Sequence, residues 1–323
     1  MREIRYVDAL NEALREEMGR DKNIFLIGED IGPLGGTFGV SRGLYDKFEK
    51  KRVRQTPISE SAIIGTAVGA AMTGLRPIAE IMYIDFITTA MDQVVNQAAK
   101  LSFMSGGQFK LPLVIRTQEG SGTREAAQHT QSLEAWFVHT PGLKIAVPST
   151  PYDAKGLLKT SIRDEGPVIF IEHKFLYDKR GGVPEEEYLI PLGKAEIKTK
   201  GNDLTVVATS LMVYKVLEVA EEISNEINIE VIDPRTLVPL DIETILKSVE
   251  KTGKLLVVHE ACTRGGIGAE IVREVAEKAF DYLDAPPRVL GGLNTPIPYS
   301  SSLESICVPQ KEDIIRAVRE ITK

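Results

Sequence analysis

What most constrains this chain is a repeated alternation between short continuous apolar runs and longer segments whose apolar residues fall three or four apart. Apolar runs occupy Asn23 to Gly28, Ile78 to Ile84, Leu113 to Arg116, Lys144 to Val147 and Val168 to Glu172. They recur at Leu204 to Ala208, Ile229 to Ile232 and Leu255 to His259. Runs of this length read as strands buried on both faces. Between them, residues 4 to 18 place Ile4, Val7, Leu10, Leu14 and Met18 on one helical face, and Ala62 to Thr73 is apolar nearly all round, with Gly74 as its stop. Helical spacing returns at Thr89 to Ser102, Tyr152 to Arg163, Val213 to Ser224, Asp241 to Glu250 and Ala269 to Phe280. Strands and helices alternating in this way predict an α/β fold with parallel sheets covered on both faces, and ligands beyond the C-terminal strand ends.

The alternation is interrupted once. Between Lys174 and Lys200 the composition turns polar and carries Gly181, Gly182, Pro184 and Pro191, which reads as a linker. The 323 residues therefore divide into an expected N-terminal domain at 1–185 and a smaller α/β domain at 186–323. Thr117 to Gln131 has no periodicity. A loop that long within a compact domain is a functional segment or a mobile one.

Composition excludes several classes. With a formal net charge of -7 and no basic block beyond the short Lys50 to Arg54 stretch, nucleic-acid binding is not expected. No apolar run reaches the roughly 18 residues of a membrane span, and Met1 to Leu14 is charged and amphipathic, so a soluble cytoplasmic chain is expected. The two cysteines, Cys262 and Cys307, have neither metal-ligand nor redox spacing.

Few residues stand out chemically. Glu60 follows Thr56-Pro57-Ile58-Ser59 at the start of the apolar helix, where a carboxyl pKa can rise. On spacing alone, Ser59 and Glu60 could equally cap that helix. His129 lies in the long loop, where an imidazole could reach a substrate, although a lone histidine is more often structural. Gly265-Gly266-Ile267-Gly268 lacks the third glycine of a dinucleotide fingerprint and reads as tight packing at a strand-to-helix turn. No P-loop, nucleophile elbow or His-Glu-x-x-His is present.

Taken together, Gly28-Glu29-Asp30, Arg52 to Glu60, Asp92 to Lys100, His139 to Lys144, Asp153 to Leu157, Val231 to Leu237 and Leu283 to Pro286 closely resemble one family, along nearly the whole chain. It is the beta subunit of the decarboxylating component of pyruvate and branched-chain 2-oxo acid dehydrogenase complexes. The resemblance implies a thiamine-diphosphate pyrimidine-binding domain followed by a transketolase C-terminal-like domain. It implies that the Glu60 carboxylate hydrogen-bonds a pyrimidine nitrogen of thiamine diphosphate and favours the tautomer that deprotonates the cofactor's reactive carbon. It places Glu29, Ile58, Met82 and Phe86 beside that ring, although ordinary strand-end packing would suit the three apolar residues too. His129 falls at the family's loop histidine, which acts during transfer to a lipoyl group. The surrounding residues look more like the pyruvate-specific branch.

The same resemblance implies a structural potassium ion on backbone carbonyls around Leu113, Ser161, Ile162, Asp164 and Gly166, with Gly166 departing from a frequent Asn. The Gly-Asp-Gly motif that holds Mg2+ and the diphosphate in this superfamily is absent. A second chain is expected to supply it, which implies an alpha subunit, an α2β2 assembly and inactivity of this chain alone. The further partners implied are a small 2-oxo acid and a lipoyl-bearing acyltransferase. Rival readings are half of a split transketolase or deoxyxylulose-phosphate synthase, and a non-catalytic scaffold subunit in which Glu60 only caps a helix.

Overall fold

The computed structural model describes all residues from Met1 to Lys323. The chain packs into two compact units, Met1–Glu119 with Trp136–Leu192, and Gly120–Ala135 with Gly193–Lys323. No helix is long and apolar enough to cross a membrane.

In the first unit, β1 (Arg2–Arg5) leads into α1 (Tyr6–Arg20), followed by β2 (Ile24–Glu29), α2 (Leu44–Arg52), β3 (Val53–Thr56), α3 (Glu60–Met72), β4 (Arg76–Ile81) and α4 (Ile84–Ile87). After α5 (Leu101–Met104) come β5 (Val114–Glu119), α6 (Glu134–Val138), β6 (Lys144–Ala146), α7 (Pro151–Arg163), β7 (Val168–His173) and β8 (Arg180–Val183). Six of these strands lie side by side in the order β6-β7-β5-β4-β2-β3, all parallel. β1 and β8 form a separate antiparallel pair. Thr150 starts α7 by accepting the Asp153 N–H, with Pro151 at the first helical position. Against α7 packs α1, whose Glu12 and Glu16 accept from the buried Lys155 ammonium at 3.1 and 2.7 Å.

The second unit continues with β9 (Glu196–Thr199), β10 (Leu204–Ala208), α8 (Leu211–Glu222), β11 (Ile229–Asp233), β12 (Thr236–Val238), α9 (Ile242–Thr252) and β13 (Leu255–Cys262). It ends with α10 (Ile267–Lys278), β14 (Arg288–Gly292), α11 (Ser301–Cys307) and α12 (Lys311–Thr322). Its sheet runs β14-β13-β10-β11-β9, parallel except for antiparallel β9 at one edge. Leu204, Val206, Val231, Leu256 and Val258 pack with Val213, Val216, Ile314 and Val318 of the covering helices.

Three local expectations change. The strand expected to reach Ile84 stops at Ile81, because Tyr83 takes a left-handed backbone (φ 63°) that cannot continue a ladder. The helix expected over Thr89 to Ser102 breaks into a 3-10 turn at Thr88–Ala90, a π segment at Gln93–Ala98 and the short α5. Thr88 and Thr89 hydroxyls bond back to the carbonyls of Asp85 and Phe86, a competition that bends a helix start. The expected linker contains β8 and β9. Its glycines fit a strand because a Cβ at Gly181 would meet the Pro151 ring at 3.1 Å.

Candidate active site

The C-terminal strand ends of the first unit and the turns after them carry Glu29, Ile58, Glu60, Met82 and Phe86. β2 delivers Glu29 at its C-terminal edge, and neighbouring β3 leads through Pro57, Ile58 and Ser59 into Glu60, the first residue of α3. Ser59 makes no side-chain cap; its hydroxyl donates instead to the Pro57 carbonyl at 3.3 Å. Glu60 stands in the first turn of α3, where the helix end favours a negative charge. Burial, and then the negative charge of Glu60, push the Glu29 carboxyl above its ordinary range. Ile58, two residues before Glu60, is 79% exposed, so its side chain is open to a contact from outside the chain.

On the other side of β2, β4 ends before the half-buried Met82, and the Tyr83 and Phe86 rings meet edge-on at 6.1 Å. The Tyr83 N–H donates to Gln118 Oε1 at 3.2 Å, at the end of β5, while Gln118 Nε2 is buried without a hydrogen-bond partner. An orphaned buried donor at a strand end fits a bound polar group better than a closed core. Sequence reasoning missed Gln118; its signal was the polar end, Thr117-Gln118-Glu119, of a strand that begins apolar and stops at Gly120.

Behind this edge the sheet is charged. Arg116, wholly buried on β5, donates to both oxygens of Glu172 at 2.7 and 2.8 Å and to Glu80 at 2.5 Å. The Tyr177 hydroxyl donates to Glu172 at 2.6 Å. Burial pushes the Glu172 carboxyl up despite its guanidinium partner.

His129 lies in the segment that packs within the second unit, half-buried. His139 is exposed, and His173 is buried with Nδ1 accepting the Phe175 N–H at 3.1 Å. His259 is buried with Nδ1 facing the Ala261 carbonyl at 3.0 Å and Nε2 unpartnered. Burial holds its imidazole down to about 4. A Cβ at Gly266, Gly268 or Gly291 would approach that ring within 2.8 Å, so these glycines make room for the imidazole and the packing reading of the Gly-rich turn holds.

Around the carbonyls expected to hold a potassium ion, Arg76 donates to Ile162 O at 3.0 and 2.9 Å and to Asp164 O at 2.6 Å. The Leu113 carbonyl accepts the Val168 N–H, the Ser161 carbonyl accepts the Asp164 N–H, and the Gly166 N–H donates to Asp164 Oδ1 at 2.7 Å. No group of three or more His, Cys, Asp or Glu side chains gathers where it could hold a metal ion.

Two family models match: "Transketolase, pyrimidine binding domain" over residues 2–179 and "Transketolase, C-terminal domain" over residues 193–314. The chain is 47% identical to the acetoin:2,6-dichlorophenolindophenol oxidoreductase subunit beta of Bacillus subtilis (strain 168), covering 97% of this chain and 96% of that one. It is 44% identical to the 2-oxoisovalerate dehydrogenase subunit beta of the same organism, over 98% of each chain. It is 46% identical to the pyruvate dehydrogenase E1 component subunit beta of Gracilaria tenuistipitata var. liui, over 99% of this chain and 100% of that one. Among solved structures, a split gene transketolase described as an inactive beta4 tetramer shares the fold, with a TM-score of 0.79 at 23% identity over 99% of this chain and 98% of the other. With Glu29 at the end of β2, Glu60 at the start of α3 and the two domain models matching the two sheets in turn, the chain belongs to the transketolase-like family of 2-oxo acid dehydrogenase beta subunits.

Proposed function

We propose that this chain is the beta half of a thiamine-diphosphate-dependent dehydrogenase that, with an alpha subunit in an α2β2 assembly, decarboxylates a small 2-oxo acid, pyruvate ahead of branched-chain acids. The acyl group passes to the lipoyl group of an acyltransferase partner. The observation that carries this reading is Glu60 at the first turn of α3, electrostatically coupled to Glu29 on the adjoining strand end.

When bound, thiamine diphosphate supplies a carbon nucleophile and a sink for the electron pair released by carbon–carbon cleavage. The chain's own residues orient and tune it. Glu60 would hold the pyrimidine ring by a hydrogen bond to its carboxylate. Glu29, whose carboxyl is raised by burial and by Glu60, adds no second full negative charge beside it at low pH. Ile58, Met82 and Phe86 supply the apolar wall for the ring, and the exposure of Ile58 is what an apolar contact waiting for a ligand looks like. His129 serves the transfer step. Mg2+ and the diphosphate fall to the alpha subunit, since no Gly-Asp-Gly stands in this chain. A structural potassium ion would share its carbonyls with the Arg76 guanidinium, a poorer fit for a second positive charge than the sequence implies.

Acetoin is a second reading of the substrate, favoured by the 47% identity to the acetoin oxidoreductase subunit. The test mixes the chain with an alpha partner, thiamine diphosphate and Mg2+, and follows dye reduction with pyruvate, 2-oxoisovalerate and acetoin in turn. Glu60→Gln should lower turnover about a hundredfold to ten-thousandfold. Undiminished turnover in that variant would sink the assignment, and sugar-phosphate transfer without dye reduction would favour the transketolase reading.

A further inference from the structure

The loop that carries His129 is held by two carboxylates that the proposed reaction does not use. Its neck is closed by the Gly120 N–H donating to the Gln131 carbonyl at 3.3 Å. From there the backbone follows an unusual path, with left-handed residues at Gly120, Gly122, Arg124 and Ala126 (φ 95°, 101°, 61° and 61°). This path turns successive N–H groups toward anions, as in a backbone nest. The Ser121 N–H and hydroxyl both donate to Glu260 Oε1, at 2.5 and 2.8 Å. The Gly122 N–H donates to Glu304 Oε1 at 2.7 Å, with the Arg124 N–H beyond it at 3.4 Å. Glu304 sits on α11 and is 3% exposed; Glu260 sits near the end of β13. A buried carboxylate satisfied by main-chain donors holds a backbone in one conformation more firmly than an exposed ion pair holds a side chain.

We propose that Glu260 and Glu304 are positioning residues for the loop: together they fix the 120–131 segment and so the place of His129. This rests on the function proposed above for its catalytic consequence, but not for the restraint itself. Arg124 and Ala126 are held in a conformation that non-glycine residues adopt reluctantly, so the loop relaxes when its anchors are weakened. A loosened loop lowers the fraction of time the imidazole stands where transfer needs it, and leaves the first unit's Glu60 as it was.

Two readouts test this. Arg124 is the only Lys or Arg between Arg116 and Lys144, so trypsin reports on the loop at a single bond. In the full chain, Glu304→Gln and Glu260→Gln should each speed cleavage after Arg124 about tenfold relative to cleavage elsewhere. Equal acceleration at all sites, or none at Arg124, overturns the restraint. In the complex with the alpha subunit, the ratio of lipoyl acyl transfer to dye reduction should fall about tenfold in both variants. A ratio that does not move, because both activities fall together or neither does, overturns the positioning role. Should the wild-type complex reduce dye with none of the three substrates, the assigned activity fails, while the tryptic comparison still decides whether the carboxylates hold the loop.

Discussion

The two sheets follow one plan and fill their centres with opposite materials. In the first unit, adjacent strands β4, β5 and β7 bring Glu80, Arg116 and Glu172 together behind the strand ends of the candidate site. In the second, the centre of the parallel array carries Val206, Val231, Leu256 and Val258 with the Thr205 hydroxyl meeting Ser248 and Thr252, each at 2.7 Å, and its buried charge, Asp233 with Lys198 at 3.8 Å and Arg235 with Glu196 at 2.8 Å, lies toward the β9 edge. A sheet needs no charge to be stable. The first unit's cluster therefore reads as specification of the strand ends that bear Glu29, Met82 and Gln118, at a desolvation cost that β10, at the centre of the second sheet, avoids.

That contrast can be broken. Its largest expected effect is Arg116→Met, which leaves Glu80 and Glu172 buried without a cation and should cost about 3–5 kcal/mol by urea titration. Replacing all three residues with apolar side chains of similar volume should recover most of that loss while degrading cofactor affinity. If Arg116→Met melts like wild type, the cluster specifies nothing. The next effect belongs to the second unit and to pH. His259 refuses a proton down to about 4, whereas the unfolded chain takes one near 6.5. Between those values the unfolded state binds more protons, so stability falls as the pH drops, by about 3 kcal/mol across the window. His259→Gln should flatten that slope in denaturant midpoints measured from pH 7 to pH 4, and an unchanged slope would assign the acid sensitivity elsewhere. A smaller change, Ile229→Val in the aliphatic core, should cost about 1 kcal/mol, because one methylene leaves a modest cavity. Least of all, Arg273→Ala removes an exposed ladder to Glu270, Glu274 and Glu277 and should leave the thermal midpoint where it is.

The parallel strands were legible in the sequence because a strand buried on both faces writes itself as an unbroken apolar run. Leu204 to Ala208 and Val168 to Glu172 show this well. The helix over Thr89 to Ser102 was misread as continuous, since apolar spacing cannot tell an α turn from a 3-10 or π turn. β8 and β9 were hidden by glycine and polar residues that suit an edge. At the candidate site, Glu60 and Glu29 were reached through family likeness, and spacing alone left Glu60 as a helix cap. Gln118, Glu260 and Glu304 were invisible for a plainer reason. Their roles depend on partners distant in the chain, and no local pattern records a partner 139 or 182 residues away.

Those separations have a consequence for biosynthesis. Ser121 and Gly122 leave the ribosome well before Glu260 and Glu304 are made, and at ordinary elongation rates the interval for the second pair is roughly 10 to 40 s. Once β6 and β7 have been made, the nascent first unit can close its sheet, while the His129 segment still lacks both of its carboxylate anchors. The last helices to be translated thus complete the loop's working shape, and a chain stalled before α11 would display a finished pyrimidine-binding half with a loop that lacks its Glu304 anchor and is more open to protease.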